Sequence, residues 1–486
     1  MTDAATPSIR LRRNTVVLAI SNVGTALLSF LLAALIARAL GEQGLGAYAV
    51  ALAWVLPLAL LAEFGIGTYL TRVLSRNDAV FAGEVQSATY SVQNADLKSS
   101  IESIEPETPN TALCTLHTAP KSDYALLSSA IAARLLMGGG AMLLLMLAAP
   151  LLANDLLIVR GIQISAPLVL IQPLYSTYTA VFRARGDMRP IPWLNIGMLV
   201  AQVVLTWGVL TLTPRPPLPQ GEGVQQGEGV LAALIINTLT SAGQLVACWM
   251  MYRRMYGNPE NAETQSPSAS LRLRVKDSLL PLLRASWHFG LAALFAALQV
   301  RLGTILLEQL AGLSAAGFYA GANRFVEAAK LLPNAYFGAL FPALAALAAD
   351  AGGMRRAFRR GAALLGGYGV LAAMGLALLA PLLIDVTYGA AFAAAAPVLV
   401  LLAVSLVFTL LRGVRTLYWY AQGREGFVNA VNGAAIVLQI ALSLWLIPAY
   451  GALGAALVLI GVEAWALAAL MWDYKPARSQ TVSALG

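Results

Sequence analysis

Asn323, Arg324, Glu327, Lys330 and Asn334 stand inside the apolar run 316–346, and Arg301 stands deep in the run 285–309 with Gln299 beside it. A charge at the middle of a membrane helix costs roughly 2.5–3.5 kcal/mol on insertion scales, so such residues are paired or kept for work. At 100° per residue, Asn323, Glu327, Lys330 and Asn334 fall within a stripe about 60° wide, with Arg324 flanking it. Glu327 can pair with Arg324 or with Lys330. Either pairing leaves one positive charge over, and Arg301 besides. A cationic surplus suits a phosphate or pyrophosphate group, because guanidinium forks bind such oxygens bidentately and tolerate desolvation. Arg134 in the run 125–153 and Arg38 near the end of the run 14–40 extend the set, with snorkelling to a lipid headgroup as the alternative for either.

Amides add a second group. Asn195 and Gln202, and again Asn432 and Gln439, stand seven apart inside apolar runs and so share a helix face. These four are read as symmetry-related positions lining a cavity. Asn22, Thr25 and Ser29 make a polar face on the first run, where small-residue helix packing is an equal reading. Glu63, Glu327 and Glu463 are acids well inside runs; each could hold a coupling proton or cation, and satisfied structural acids are the commoner outcome. His288 beside Trp287 reads as an interfacial anchor. Two histidines and two isolated cysteines, Cys114 and Cys248, give no metal-ligand cluster of the usual spacing, and no cofactor is expected.

The elements that must position these residues follow from composition. The chain is 58% hydrophobic and 12% charged, against about 25% charged in an ordinary soluble domain. Its mean hydropathy is +0.71. So few charges cannot coat soluble domains, and two cysteines exclude a disulfide scaffold. A bilayer core of roughly 30 Å needs about 20 apolar residues per helix. Twelve such runs occur: 14–40, 45–74, 125–153, 155–182, 190–212, 230–252, 285–309, 316–346, 357–384, 390–420, 425–448 and 451–473. The alternation of a membrane barrel is absent. The expectation is an all-α polytopic membrane protein, with the first run a retained helix rather than a cleaved signal.

Basic residues set the orientation. With the N-terminus inside, most of the 32 basic residues fall on the inner side, from Arg10, Arg12 and Arg13 to Arg412, Arg415 and Arg424. The outer side receives Arg38, Arg160 and Arg215, and Arg134, Arg301, Arg324 and Lys330 lie within spans. This bias accounts for the net charge of +8 without a nucleic-acid partner. Both termini are expected to be cytoplasmic, in the cell (inner) membrane.

The chain also repeats itself. Gly46-Ala47-Tyr48-Ala49-Val50-Ala51 and Gly317-Phe318-Tyr319-Ala320-Gly321-Ala322 both read G-x-Y-A-x-A. Ala184, Gly186, Asn195 and Gln202 recur as Ala421, Gly423, Asn432 and Gln439, all four at one common, shorter interval. Six spans per half make the halves parallel repeats about an axis along the membrane normal, two lobes around a central cavity. The interval shrinks across Glu84–Tyr124, a polar stretch read as a disordered cytoplasmic insertion. A second low-complexity stretch, Thr213–Gly229, lies between spans five and six. The expected division is a lobe over 1–252 with insertions 84–124 and 213–229, a flexible cytoplasmic linker over 253–284, a lobe over 285–473 and a tail over 474–486.

The run Ile36-Ala37-Arg38-Ala39-Leu40-Gly41-Glu42-Gln43-Gly44-Leu45-Gly46-Ala47-Tyr48, followed by Glu63-Phe64-Gly65-Ile66-Gly67, resembles the opening of polysaccharide-biosynthesis flippases. Phe182-Arg183-Ala184-Arg185-Gly186-Asp187-Met188 and Gly317-Phe318-Tyr319-Ala320 leading into Asn323-Arg324 are similar to the same family. The resemblance implies a carrier of the multidrug/oligosaccharidyl-lipid/polysaccharide superfamily that flips polyprenyl-pyrophosphate-linked glycans, O-antigen units among them, by alternating access. It implies that Arg301 and Arg324, with Arg38, Arg134 and Lys330, hold the anionic head. Other polysaccharide-assembly proteins and membrane lipid are the implied partners. Relatives often carry an acid two residues after the arginine of span seven, where this chain has Gly303. A multidrug or cation exchanger of the same superfamily is the alternative. A membrane glycosyltransferase or polymerase is a third, disfavoured because such enzymes present acids and bases in a sizeable outer loop.

Overall fold

The structure is a computed structural model that describes residues 7–63, 67, 70, 121–153, 155–185, 187–212, 222–256, 267–347 and 350–472. Cys114, the tail 474–486 and most of Glu84–Tyr124 lie outside the described residues, as do the side chains of Arg10, Arg12, Arg13, Trp287 and His288. The described chain is all-helical. In order come α1 (Pro7–Glu63), α2 (Lys121–Leu152), α3 (Leu156–Ser165), α4 (Leu168–Ala184), α5 (Pro190–Leu212) and α6 (Glu222–Tyr256). Then follow α7 (Pro267–Ala329), α8 (Leu331–Ala346), α9 (Ala351–Tyr388), a 3-10 turn (Ala390–Phe392), α10 (Ala395–Ala421) and α11 (Glu425–Met471). Eight helices among the described residues are long and apolar enough to cross a membrane.

Their sequences dictate this. Spanning helices satisfy every backbone donor internally, and Leu, Ala and Val can face lipid at no cost. Leu147, Leu151, Trp193 and Leu378 accordingly point outward, each at least 77% exposed. Three of the long helices turn back on themselves at a glycine. Gly41 (φ 70°) breaks α1, Gly312 (φ 83°) breaks α7 and Gly451 (φ 55°) breaks α11. A side chain at these angles would clash with its own backbone, so glycine makes the tight reversal available.

Two proline breaks divide runs that the sequence presents as continuous. Span four is α3 plus α4, parted at Ala166–Pro167. The Ile164 carbonyl, orphaned there, accepts the Thr238 hydroxyl at 3.1 Å. Span eight is interrupted at Lys330 because Pro333 has no N–H for the Ala329 carbonyl. Tyr368 donates its hydroxyl to that oxygen instead, at 2.7 Å. Two stretches expected to lack structure are helical: Glu222–Gly229 opens α6, and Pro267–Ser278 of the presumed flexible linker opens α7.

Contacts divide the chain into two compact units. The first comprises Met1–Ser29, Trp54–Pro219 and Leu231–Ala297. In it Gly138 lets α2 approach α4, where an added Cβ would stand 3.3 Å from the Val169 carbonyl oxygen. Close approach through small residues is how helices associate when lipid removes the hydrophobic drive. The second unit comprises Phe30–Ala53, Gln220–Val230 and Leu298–Gly486. Its core includes Trp419, Val428, Val431, Ala435, Val458 and Val462, from α10 and both limbs of α11. Phe30–Ala53, the turn of α1 and its flanks, therefore groups with residues after 298.

Candidate functional site

In the second unit, α7 carries both arginines of the expected cluster. Arg324 donates to Glu327 Oε2 at 3.1 Å, and Asn323 donates its amide to Glu327 Oε1 at 3.2 Å. Both members of the ion pair are about one-third exposed. Of the two pairings open in the sequence, Glu327 takes Arg324. Arg301, half-buried on the first limb of α7, lies within electrostatic reach of Glu327 and Arg324. Lys330, at the break between α7 and α8, lies within reach of Glu463 and Glu327. Among the described residues neither Arg301 nor Lys330 has an ion-pair partner. Two cations thus stand near carboxylates that are already engaged, Glu327 with Arg324 and Glu463 with Arg412.

Gly303 stands one helical turn from Gln299. A Cβ there would meet the Tyr319 hydroxyl at 3.6 Å and Gln439 Nε2 at 3.8 Å, both ordinary contacts.

A second polar cluster corrects the sequence reading. Arg412, assigned to the inner loops, lies inside α10, nine residues before Ala421. At 1.5 Å per residue that is about 13.5 Å from the helix end, close to half a bilayer core. Its Nη1 donates to Glu463 Oε1 at 2.9 Å. Its Nη2 donates to Gln299 Oε1 at 3.0 Å and to Asn432 Oδ1 at 2.7 Å. Gln439 completes the junction by donating to the Gln299 carbonyl at 3.1 Å. The ion pair is 12% and 8% exposed, so little solvent screens it. This cluster ties α7, α10 and both limbs of α11 together.

The first unit contains a neutral version. Tyr175 donates to Asn195 Oδ1 at 2.7 Å, and Gln244 donates to the same oxygen at 2.8 Å. Arg412 follows Tyr175 by the interval that relates Asn195 to Asn432. Glu463 follows Gln244 by an interval shorter by about the length of Thr213–Gly229. Carrying the repeat interval forward from Tyr175 was the signal that could have found Arg412 from sequence. Gln202, in turn, donates to Asn237 Oδ1 at 3.0 Å. The structure therefore places all four repeat amides in bonds between helices.

Two further candidates are engaged elsewhere. Arg38 donates its Nε to the Thr387 carbonyl at 2.8 Å and its Nη2 to the Val386 carbonyl, covering the C-terminal end of α9. Those carbonyls have no intrahelical donor, and a cation suits the negative end of the helix. Arg134 is fully buried in the first unit, donating to the Pro173 carbonyl and to Thr177 Oγ1. Glu63, nearby, accepts the Ser176 hydroxyl at 2.5 Å. The Thr25 hydroxyl folds back on the Ser21 carbonyl of its own helix.

Comparison with known proteins gives these arrangements a context. A family model described as polysaccharide biosynthesis protein matches residues 11–93 and 117–348, its gap falling inside Glu84–Tyr124. Among solved structures, the lipid II flippase MurJ in an inward closed conformation is similar with a TM-score of 0.64 at 12% identity, over 94% of this chain and 87% of that one. An inward-facing multidrug resistance MATE family transporter of the MOP superfamily reaches 0.65 at 13%, over 93% of this chain and 97% of that one. An outward-facing MATE transporter reaches 0.58 at 14%, over 94% of each chain. At these identities the likeness is one of fold. No curated protein sequence matches.

Proposed function

The chain belongs to the polysaccharide biosynthesis protein family, and on that premise we propose that it flips a polyprenyl-pyrophosphate-linked oligosaccharide across the cell membrane for surface polysaccharide assembly. The family and the fold support a multi-pass membrane flippase or transporter. The finer reading rests on one observation: Arg301 and Lys330 stand without ion-pair partners among the described residues, beside the Arg324–Glu327 pair. A pyrophosphate supplies the anionic oxygens that would neutralise them, with Arg301 and Arg324 as bidentate donors. Lys330, at a helix break, offers a third charge on a flexible stem. In this reading the chain has twelve spans in two six-helix parallel repeats with both termini inside. Alternating access moves the substrate, and no bond is made or broken.

The test is movement of a fluorescent lipid-pyrophosphate glycan in reconstituted vesicles. Arg301→Ala and Lys330→Ala should each cut the rate at least tenfold while elution and melting stay native. Full rates in both variants would discard the assignment.

The likeness to multidrug resistance transporters favours a second reading, a multidrug or cation exchanger. It predicts drug resistance on overexpression and no effect on surface glycan. The cationic surplus in the second unit disfavours a cationic cargo there.

A further inference from the structure

The duplicated glycine motif has a structural counterpart inside the second unit. Gly41 and Gly312, each with positive φ, reverse α1 and α7. They are separated by the same interval as Gly46 and Gly317, which lie in the limbs that leave those turns. A Cβ added at Gly46 would overlap the Leu313 carbonyl oxygen and stand 3.0 Å from the Gly317 nitrogen. A Cβ added at Gly317 would overlap the Glu42 carbonyl oxygen and stand 2.7 Å from the Glu42 carbonyl carbon. Leu313 follows Glu42 by that interval too, so the two contacts are one contact made twice, each hairpin's glycine against the other's carbonyl. Neither site can accept a methyl group unless backbone moves, because the obstructing atoms are backbone atoms. The residues around them are fully packed: Ala47, Val50, Ala51, Ala316 and Ala322 are at most 1% exposed.

We propose that this reciprocal seam is the closed outer gate of the transporter, and that outward opening consists of parting it. The proposal rests on the transport reading and on the inside placement of the N-terminus, which sets both hairpins on the outer side. Backbone-to-backbone contact suits a gate. Cα–H···O contacts are individually weak, so the seam closes without a deep well and reopens without breaking a buried ion pair. The same geometry explains why the motif recurs, since a two-sided seam needs glycine on both sides.

The experiment uses the full chain with Cys114→Ser, Cys248→Ala and a reporter, Val50→Cys, one helical turn below Gly46 on the same face. Intact cells are treated from outside with a membrane-impermeant maleimide. With both glycines present the reporter should label slowly. Gly46→Val or Gly317→Val should raise the outside labelling rate at least tenfold, and Gly46→Ala or Gly317→Ala by a smaller factor in the same direction. Unchanged labelling in variants that elute as folded protein overturns the gate. Should the valine variants misfold, the alanine variants decide. Should those misfold as well, a short cross-link between Gln43→Cys and Ser314→Cys decides: outward release must stop, and undiminished release overturns the gate. Labelling needs no substrate, so a seam that responds while no lipid-linked glycan moves would sink the substrate assignment and leave the gate standing.

Discussion

Replacing Arg412 by tyrosine and Glu463 by glutamine would rewrite the charged cluster of the second unit in the letters of the neutral one. The first copy closes as Tyr175, Asn195 and Gln244. The second closes as Arg412, Asn432 and Glu463, drawn together with Gln299. Arg412→Tyr alone leaves the Glu463 carboxylate, 8% exposed, without its counter-charge. Breaking a buried pair from one side costs about 3–5 kcal/mol, most of it the stranded charge. Glu463→Gln alone strands the guanidinium but leaves it Asn432 and Gln299 as acceptors, so the cost falls lower, about 2–3 kcal/mol. The double variant removes both charges and keeps a hydroxyl and an amide facing Asn432. It should recover to within about 1–2 kcal/mol of wild type, as neutral replacements of buried pairs do. The assay is reversible SDS unfolding in mixed micelles, with the four chains forming a double-mutant cycle. Arg412→Tyr costing under about 1 kcal/mol, or a double variant no better than the worse single one, would refute the equivalence of the two clusters.

Arg38→Ala should lower stability by about 0.3–1 kcal/mol, the usual worth of a cation at a helix C-terminus. It should leave the flipping rate unchanged, because Arg38 is spent on the Val386 and Thr387 carbonyls; a large transport defect at native stability would return it to the substrate site. Gly303→Ala should raise stability by about 0.5–1 kcal/mol, since a helix-interior methyl there meets no atom closer than 3.6 Å. Melting in detergent reads this directly, and a loss would show that the space around Tyr319 is narrower than described.

What the sequence made legible was what depends on local pattern. Apolar length announced a helical chain that crosses a membrane several times. The spacing of Arg324 from Glu327 allowed the pair that forms. What it hid depends on partners far along the chain. Arg38 caps the Val386 and Thr387 carbonyls from the opposite end of the sequence, and nothing near it hints at a helix end. Arg412 was misplaced because the inside excess of basic residues is a statistical rule about loops, whereas depth is set by where a neighbouring helix holds a counter-charge. Glu463 supplied that charge from another helix. The spacing of the repeat amides is silent on their neighbours, which decide whether they line a cavity or stitch helices, and here bonds to Tyr175, Arg412 and Asn237 engage them.

The mirrored glycine contacts carry an implication about symmetry. An interface in which residue i touches j while j touches i is the isologous kind that two identical subunits form about a two-fold axis. Here both sides of the contact belong to one chain. Identical subunits must duplicate every charge, so a lone arginine and its glutamate could not be confined to one of them. A single chain carries no such restriction: the cluster around Asn195 holds tyrosine and glutamine, and the one around Asn432 holds an arginine and its glutamate.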